Sequence, residues 1–193
     1  MTGASGEPGL TGEERKALLA AAREAIAAHL GGRPAALPTA TGGLAQTVGV
    51  FVTLHRRSDR ELRGCVGLLD PDAPLVDTVA RMAVAAATAD SRFEPVAERE
   101  VEGLSIEISA LSPLETIRPE DVEVGRHGLV VSAGGRRGVL LPHVPLDHEW
   151  DREGFLAQAC RKAGLPADAW KQPDTGLQGF TAVVFSDELT HAD

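Results

Sequence analysis

Residues 48–69 read Val48-Gly49-Val50-Phe51-Val52-Thr53-Leu54-His55, then Arg56-Arg57-Ser58-Asp59-Arg60, then Glu61-Leu62-Arg63-Gly64-Cys65-Val66-Gly67-Leu68-Leu69. Val48, Val50, Val52 and Leu54 fall at every second position, the period of a strand with one buried face. His55 to Arg60 is a polar turn. Leu62, Val66 and Leu68 then alternate against Arg63, Cys65 and Gly67. The stretch predicts a β-hairpin, with the apolar set of its second strand turned to the core.

Working outward, Thr11 and Glu14 form a T-x-x-E capping box ahead of a helix. Leu18, Ala22 and Ile26 give that helix one apolar face, and Gly31, Gly32 and Pro34 end it. Beyond the hairpin, Asp70 to Pro74 breaks the chain before a second helix reaching about Thr88, with Leu75, Val79, Met82 and Ala86 inward. Leu104, Ile106, Ile108 and Ala110 mark another strand, whose other face carries Ser105, Glu107 and Ser109. Leu129 to Ser132 and Gly138 to Leu141 flank a turn at Gly134-Gly135-Arg136-Arg137. Asp151 caps a helix bearing Phe155, Leu156, Ala159, Cys160 and Ala163, stopped by Gly164 and Pro166. Thr181 to Phe185 reads as a last strand. Hairpins outnumber β-α-β crossovers, so the fold class is α+β, with a mixed or antiparallel sheet and flanking helices.

With 193 residues, 43% hydrophobic and 24% charged, the chain suits one compact domain or two small lobes. The start, Met1 to Gly12, shows no signal-peptide pattern, and the near-apolar stretch Met82 to Ala89 is too short to span a bilayer. A cytoplasmic, non-membrane protein is expected. Its two cysteines, Cys65 and Cys160, do not make a secreted disulfide framework. A net charge of -9 disfavours nucleic-acid binding, which needs a basic surface to displace counterions.

The segment Leu62 to Gly67 is where chemistry is most legible. Glycines weaken a strand and mark close approach by a ligand or another backbone. An arginine two residues from Cys65 on one face would favour the thiolate, the nucleophilic form. The plainer reading is a strand crossed tightly by a helix, with Cys65 as filler. Glu107 is either a solvated carboxylate or a general base and partner to Arg63. His143 and His148 flank Pro145 and offer a further base. No ligand pair has short zinc-finger spacing, so no metal site is expected. Cys160 reads as core packing. Walker, G-x-G-x-x-G, H-E-x-x-H and G-x-S-x-G motifs do not occur.

Several stretches together resemble the AMMECR1 family. Leu62-Arg63-Gly64-Cys65-Val66-Gly67 is similar to its signature hexapeptide, with valine where isoleucine is usual. Phe51 to Leu54 fits upstream. Downstream follow Ala85 to Ala87, Asp90-Ser91-Arg92-Phe93-Glu94-Pro95-Val96 and Leu104 to Pro113. Gly125 to Val130, Leu140 to Pro142, Trp150-Asp151, Phe155-Leu156 and Cys160 to Pro166 complete the order over about residues 13 to 187. The resemblance implies an α+β fold with two unequal subdomains, and flexible ends at 1–12 and 188–193. The last segment looks like the AmmeMemoRadiSam system protein A branch, which implies a Memo-like protein and a radical SAM protein as partners. Any radical SAM cofactor would belong to that partner, since this chain lacks C-x3-C-x2-C. No cofactor of its own is expected. Glutamine is commoner than His143 at its position in the family.

These readings converge on an enzyme or enzyme component modifying a macromolecule or small molecule. Cys65 would be nucleophile, Arg63 its partner, and Glu107 and His148 proton carriers. Gly64, Gly67 and Ser109 would line the ligand. The alternatives are a non-catalytic ligand- or protein-binding module and an RNA-associated factor. The site is expected in a cleft between the subdomains, with Arg63, Cys65, Gly67 and Glu107 on one wall.

Overall fold

The structure, a computed structural model, describes residues 8–187. The expected flexible end 188–193 lies outside that range, as do residues 1–7 of the N-terminal one. Two compact units are present: residues 8–111 with 183–187, and residues 112–182.

In the first unit, Thr11 caps α1 (Gly12–Leu30) in the expected reciprocal way. Its hydroxyl accepts from the Glu14 amide at 3.2 Å, and the Glu14 carboxylate accepts from the Thr11 amide at 2.8 Å. Glu14 also accepts from the Gly43 amide at 2.6 Å, which pins the turn after the helix. β1 (Val50–Arg56) and β2 (Leu62–Leu68) form the hairpin. α2 (Leu75–Thr88) follows, then β3 (Leu104–Leu111). The last strand, β8 (Ala182–Ser186), completes the sheet in the order β2-β1-β3-β8. Both β2 and β3 run antiparallel to β1.

Periodicity decides which face packs. Val50, Val52 and Leu54 join Ile106 and Ile108 against Leu18, Ala22 and Ile26 of α1 and Leu75, Val79 and Ala83 of α2, all buried. At the end of β8, Asp187 is tied down from three sides. Its carboxylate accepts from the Ile106 amide at 2.8 Å and pairs with Arg23 of α1 and with Arg57.

One expectation fails at the start of β2. Leu54 pairs with Gly64, but His55 pairs with Leu62, so Arg63 is an extra residue in the ladder. Such a bulge shifts the side chains beyond it out of the two-residue alternation. Leu62 therefore leaves the core face and is 36% exposed.

The second unit holds its own four-stranded sheet, in the order β4-β7-β5-β6. These strands are β4 (Glu115–Thr116), β5 (Gly128–Ala133), β6 (Arg136–Leu140) and β7 (Gly176–Phe180). The turn between β5 and β6 is two residues long, with Gly134 and Gly135 both at positive φ, as a tight right-twisted hairpin requires. Arg136 and Arg137 already belong to the strand. A short α3 (Val144–Asp147) precedes α4 (Arg152–Lys162), which Asp151 caps through the Gly154 amide at 2.8 Å. Phe155, Leu156, Ala159 and Cys160 pack with Leu129, Val131 and Leu177.

Candidate functional site

The register of the first sheet lays out its polar face in rows. Thr53 of β1 pairs with Cys65 on one side and with Glu107 on the other. Phe51 likewise pairs with Gly67 and with Ser109. Cys65 and Glu107 thus share a row with Thr53 between them, two strand spacings or roughly 10 Å apart at Cα. Cys65 and Glu107 are half-buried, and Ser109 is 2% exposed.

The thiol has a close hydroxyl partner. Thr53 Oγ1 donates to Cys65 Sγ at 3.3 Å. That bond fixes the direction of the Cys65 side chain on the polar face. The main chain at Cys65 is held as well, because its amide donates to Asp90 Oδ2 at 2.9 Å. β2 is an edge strand, and the segment after α2 supplies Asp90 to that edge.

Asp90 is also a platform for Arg92. The guanidinium donates from Nε to Oδ1 at 3.0 Å and from Nη2 to Oδ2 at 2.7 Å. The Arg92 amide donates to Oδ1 at 3.2 Å. These bonds, the Arg92 side chain first and the Cys65 amide after it, hold the Asp90 carboxyl well below the usual carboxylate range, against the opposing effect of burial. Arg92 is raised in turn, chiefly by its hydrogen bonds to Asp90 and against the opposing effect of burial. Its Cζ also lies 5.4 Å from the centre of the Phe93 ring.

Arg63 faces a different set of partners. Its guanidinium donates to the Glu94 carbonyl at 2.7 Å, to the Pro95 carbonyl at 3.3 Å and to Glu100 Oε1 at 3.2 Å. The bulge directs it along the sheet edge, where it pins residues 94–100. Arg92 stands two hydrogen bonds from the Cys65 amide, through Asp90. Neither Arg92, Asp90 nor Thr53 stands out in sequence as a site residue. The Asp-x-Arg spacing at 90–92 is the signal that points to the first two, since aspartate commonly accepts from the amide two residues on. Thr53 is findable only from the register.

The two glycines meet the protein's own atoms. A Cβ on Gly64 would lie 2.0 Å from the Ala86 carbonyl oxygen, so α2 sits directly on β2 at that point. A Cβ on Gly67 would lie 2.2 Å from Phe51 Cδ1, so the Phe51 ring lies over Gly67. Gly64 belongs to the packed face and Gly67 to the polar one.

His143 and His148 lie in the second unit, exposed beside α3. The His148 ring stacks on Trp150, with centroids 4.6 Å apart and planes at 15°. Cys160 is 0% exposed, and burial pushes its thiol up. Among the described residues, no group of three or more His, Cys, Asp or Glu side chains stands together as a metal site. Within them no helix is long and apolar enough to cross a membrane.

The family model named AMMECR1 matches residues 19–185. The chain belongs to the AMMECR1 family. Among AMMECR1 relatives, Protein MK0488 of Methanopyrus kandleri is 45% identical over 188 residues, 93% of this chain and 91% of that one. Protein MJ0810 of Methanocaldococcus jannaschii is 37% identical and covers 92% of each. The crystal structure of the uncharacterized protein PH0010 from Pyrococcus horikoshii is 42% identical, with a TM-score of 0.82 over 89% of this chain and 90% of that one. The two-sheet α+β architecture is therefore an AMMECR1 fold.

Proposed function

We propose that this AMMECR1-domain protein is an enzyme, or the component of one, in which Cys65 is the nucleophile. The observation that carries the reading is the 3.3 Å hydrogen bond from Thr53 to Cys65 Sγ on a polar, half-open sheet face. Asp90 fixes the backbone under the thiol, Arg92 supplies positive charge, and Glu107 at the end of the row is the candidate proton acceptor. His148 stays a candidate proton carrier on the strength of its residue type and exposure. Both cysteines are free, which suits the reducing cytoplasm as the place of action. The family resemblance supports a Memo-like protein and a radical SAM protein as partners, and a macromolecule or small molecule as substrate.

Limited alkylation of the native protein with iodoacetamide, followed by peptide mapping, tests the nucleophile. Cys65 is expected to be carboxamidomethylated well before Cys160, which emerges only on unfolding. Equal or slower labelling at Cys65 removes the nucleophile and leaves the second reading, a ligand-binding face. What favours that second reading is Glu107, half-buried with no ion pair among the described residues.

A further inference from the structure

Arg92 is held unusually firmly for a side chain with 56% exposure. A guanidinium has five N–H donors. Asp90 occupies one edge, the Nε and Nη2 pair, and Phe93 lies beside the plane. The edge formed by Nη1 and Nη2 keeps a parallel pair of donors, the geometry that receives a carboxylate in two hydrogen bonds. Asp90 itself is 7% exposed, so the platform is built into the protein and not assembled by two mobile surface groups. The same Oδ2 oxygen that accepts from Arg92 accepts from the Cys65 amide, which fixes the guanidinium relative to the main chain that carries the sulfur.

We propose that the polar face takes a carboxylate-bearing electrophile, whose acid group docks on the free edge of Arg92 while its electrophilic carbon meets Cys65 Sγ. This substrate class rests on Cys65 being the nucleophile, as argued above. Arg92 is the specificity residue and Asp90 the positioning residue that holds it. The arrangement explains why Asp90 reaches both the thiol's backbone and the cation.

Paired alkylating reagents test the assignment. Iodoacetate and iodoacetamide react alike: the thiolate sulfur forms a bond to the CH2 carbon, and iodide leaves with the electrons of the broken C–I bond. They differ in a carboxylate against a neutral amide. The ratio of their rates at Cys65 cancels the fraction of thiolate and reports anion recognition alone. Relative to free glutathione, the ratio at Cys65 is expected to favour iodoacetate by about tenfold, the effect of a charge-assisted hydrogen-bonded pair. Half-molar sodium chloride should reduce it by screening. Arg92→Gln should return it to the glutathione value, and Arg92→Lys should restore it in part. If Arg92→Gln does not fold, the lysine variant and the salt series on the natural protein decide alone. A ratio equal to that of glutathione in the natural protein overturns the carboxylate class while iodoacetamide labelling of Cys65 still stands. Failure of iodoacetamide to label Cys65 ahead of Cys160 overturns the nucleophile, and this substrate class with it.

Discussion

Asp90 concentrates four accepted hydrogen bonds on one nearly buried carboxylate: two from the Arg92 side chain, one from the Arg92 amide and one from the Cys65 amide. Asp90→Asn keeps the size but removes the charge, leaving a buried amide group facing donors. It should lower the unfolding free energy by about 2 kcal/mol, the usual scale for hydrogen bonds to a charged group. Because the folded carboxyl is depressed, its stabilisation is complete above the unfolded value of about 3.9 and is lost as pH falls through the lower folded value. Urea unfolding should therefore show a constant gap between the natural protein and the variant from pH 8 to about 5, closing only in stronger acid. A gap that closes near neutral pH would point to some other group. At this scale the sequence was half legible. Cys65 and Glu107 stand out by type and spacing, and alternation alone puts each on its polar face. Arg63 stands out equally, but a single inserted residue at the bulge sends its guanidinium to the Glu94 and Pro95 carbonyls. No periodicity argument sees a bulge, because the insertion leaves the residue types unchanged.

At the scale of elements, both units use glycine in the same two ways. Gly64 lies under α2 in the first, and Gly138 lies under α4 in the second, where a Cβ would be 2.3 Å from the Ala163 nitrogen. Gly67 lies under the ring of its cross-strand partner Phe51, and Gly128 under that of its partner Phe180. An aromatic ring over a glycine replaces the side chain the strand lacks and shields its backbone. Gly64→Ala should cost about 3 kcal/mol, since the methyl would have to displace backbone and not a flexible side chain. A thermal melt of that variant within a degree or two of the natural protein would show that α2 can slide off β2 freely. The paired Leu104–Leu111 and Val50–Arg56 strands, α1 with its cap, and α2 were all legible, because each shows a clean period of two or near four. β7 was not. Its Gly-Leu-Gln-Gly-Phe holds two glycines and only two apolar residues, and β4 is two residues long. Both strands are made by pairing with neighbours far away in sequence, not by local preference.

For the molecule as a whole, net charge governs what it can meet. At -9, with a pI near 5.1, its overall field opposes general attraction to polyanions. Co-expressed with a Memo-like protein and a radical SAM protein, a tagged form of this chain is expected to retain at least one of them through washing at 0.15 M salt, where the screening length is about 8 Å. Retention of neither would remove the partner proposal while leaving the nucleophile proposal at Cys65 untouched. Division into two units was anticipated from family likeness, whereas composition and length alone allowed one lobe or two.

The place of β8 in the chain sets an order in time. β3 ends at Leu111 and β8 begins at Ala182, with about 70 residues between them. During synthesis every strand of the second sheet has left the ribosome before the first sheet can receive its outer strand. Until then the β3 edge is open and Arg23 of α1 waits for Asp187. A ribosome stalled before β8 has emerged would therefore hold a first unit with β2 paired but its far edge bare. Such an edge is the kind that recruits chaperones or pairs with a neighbouring nascent chain.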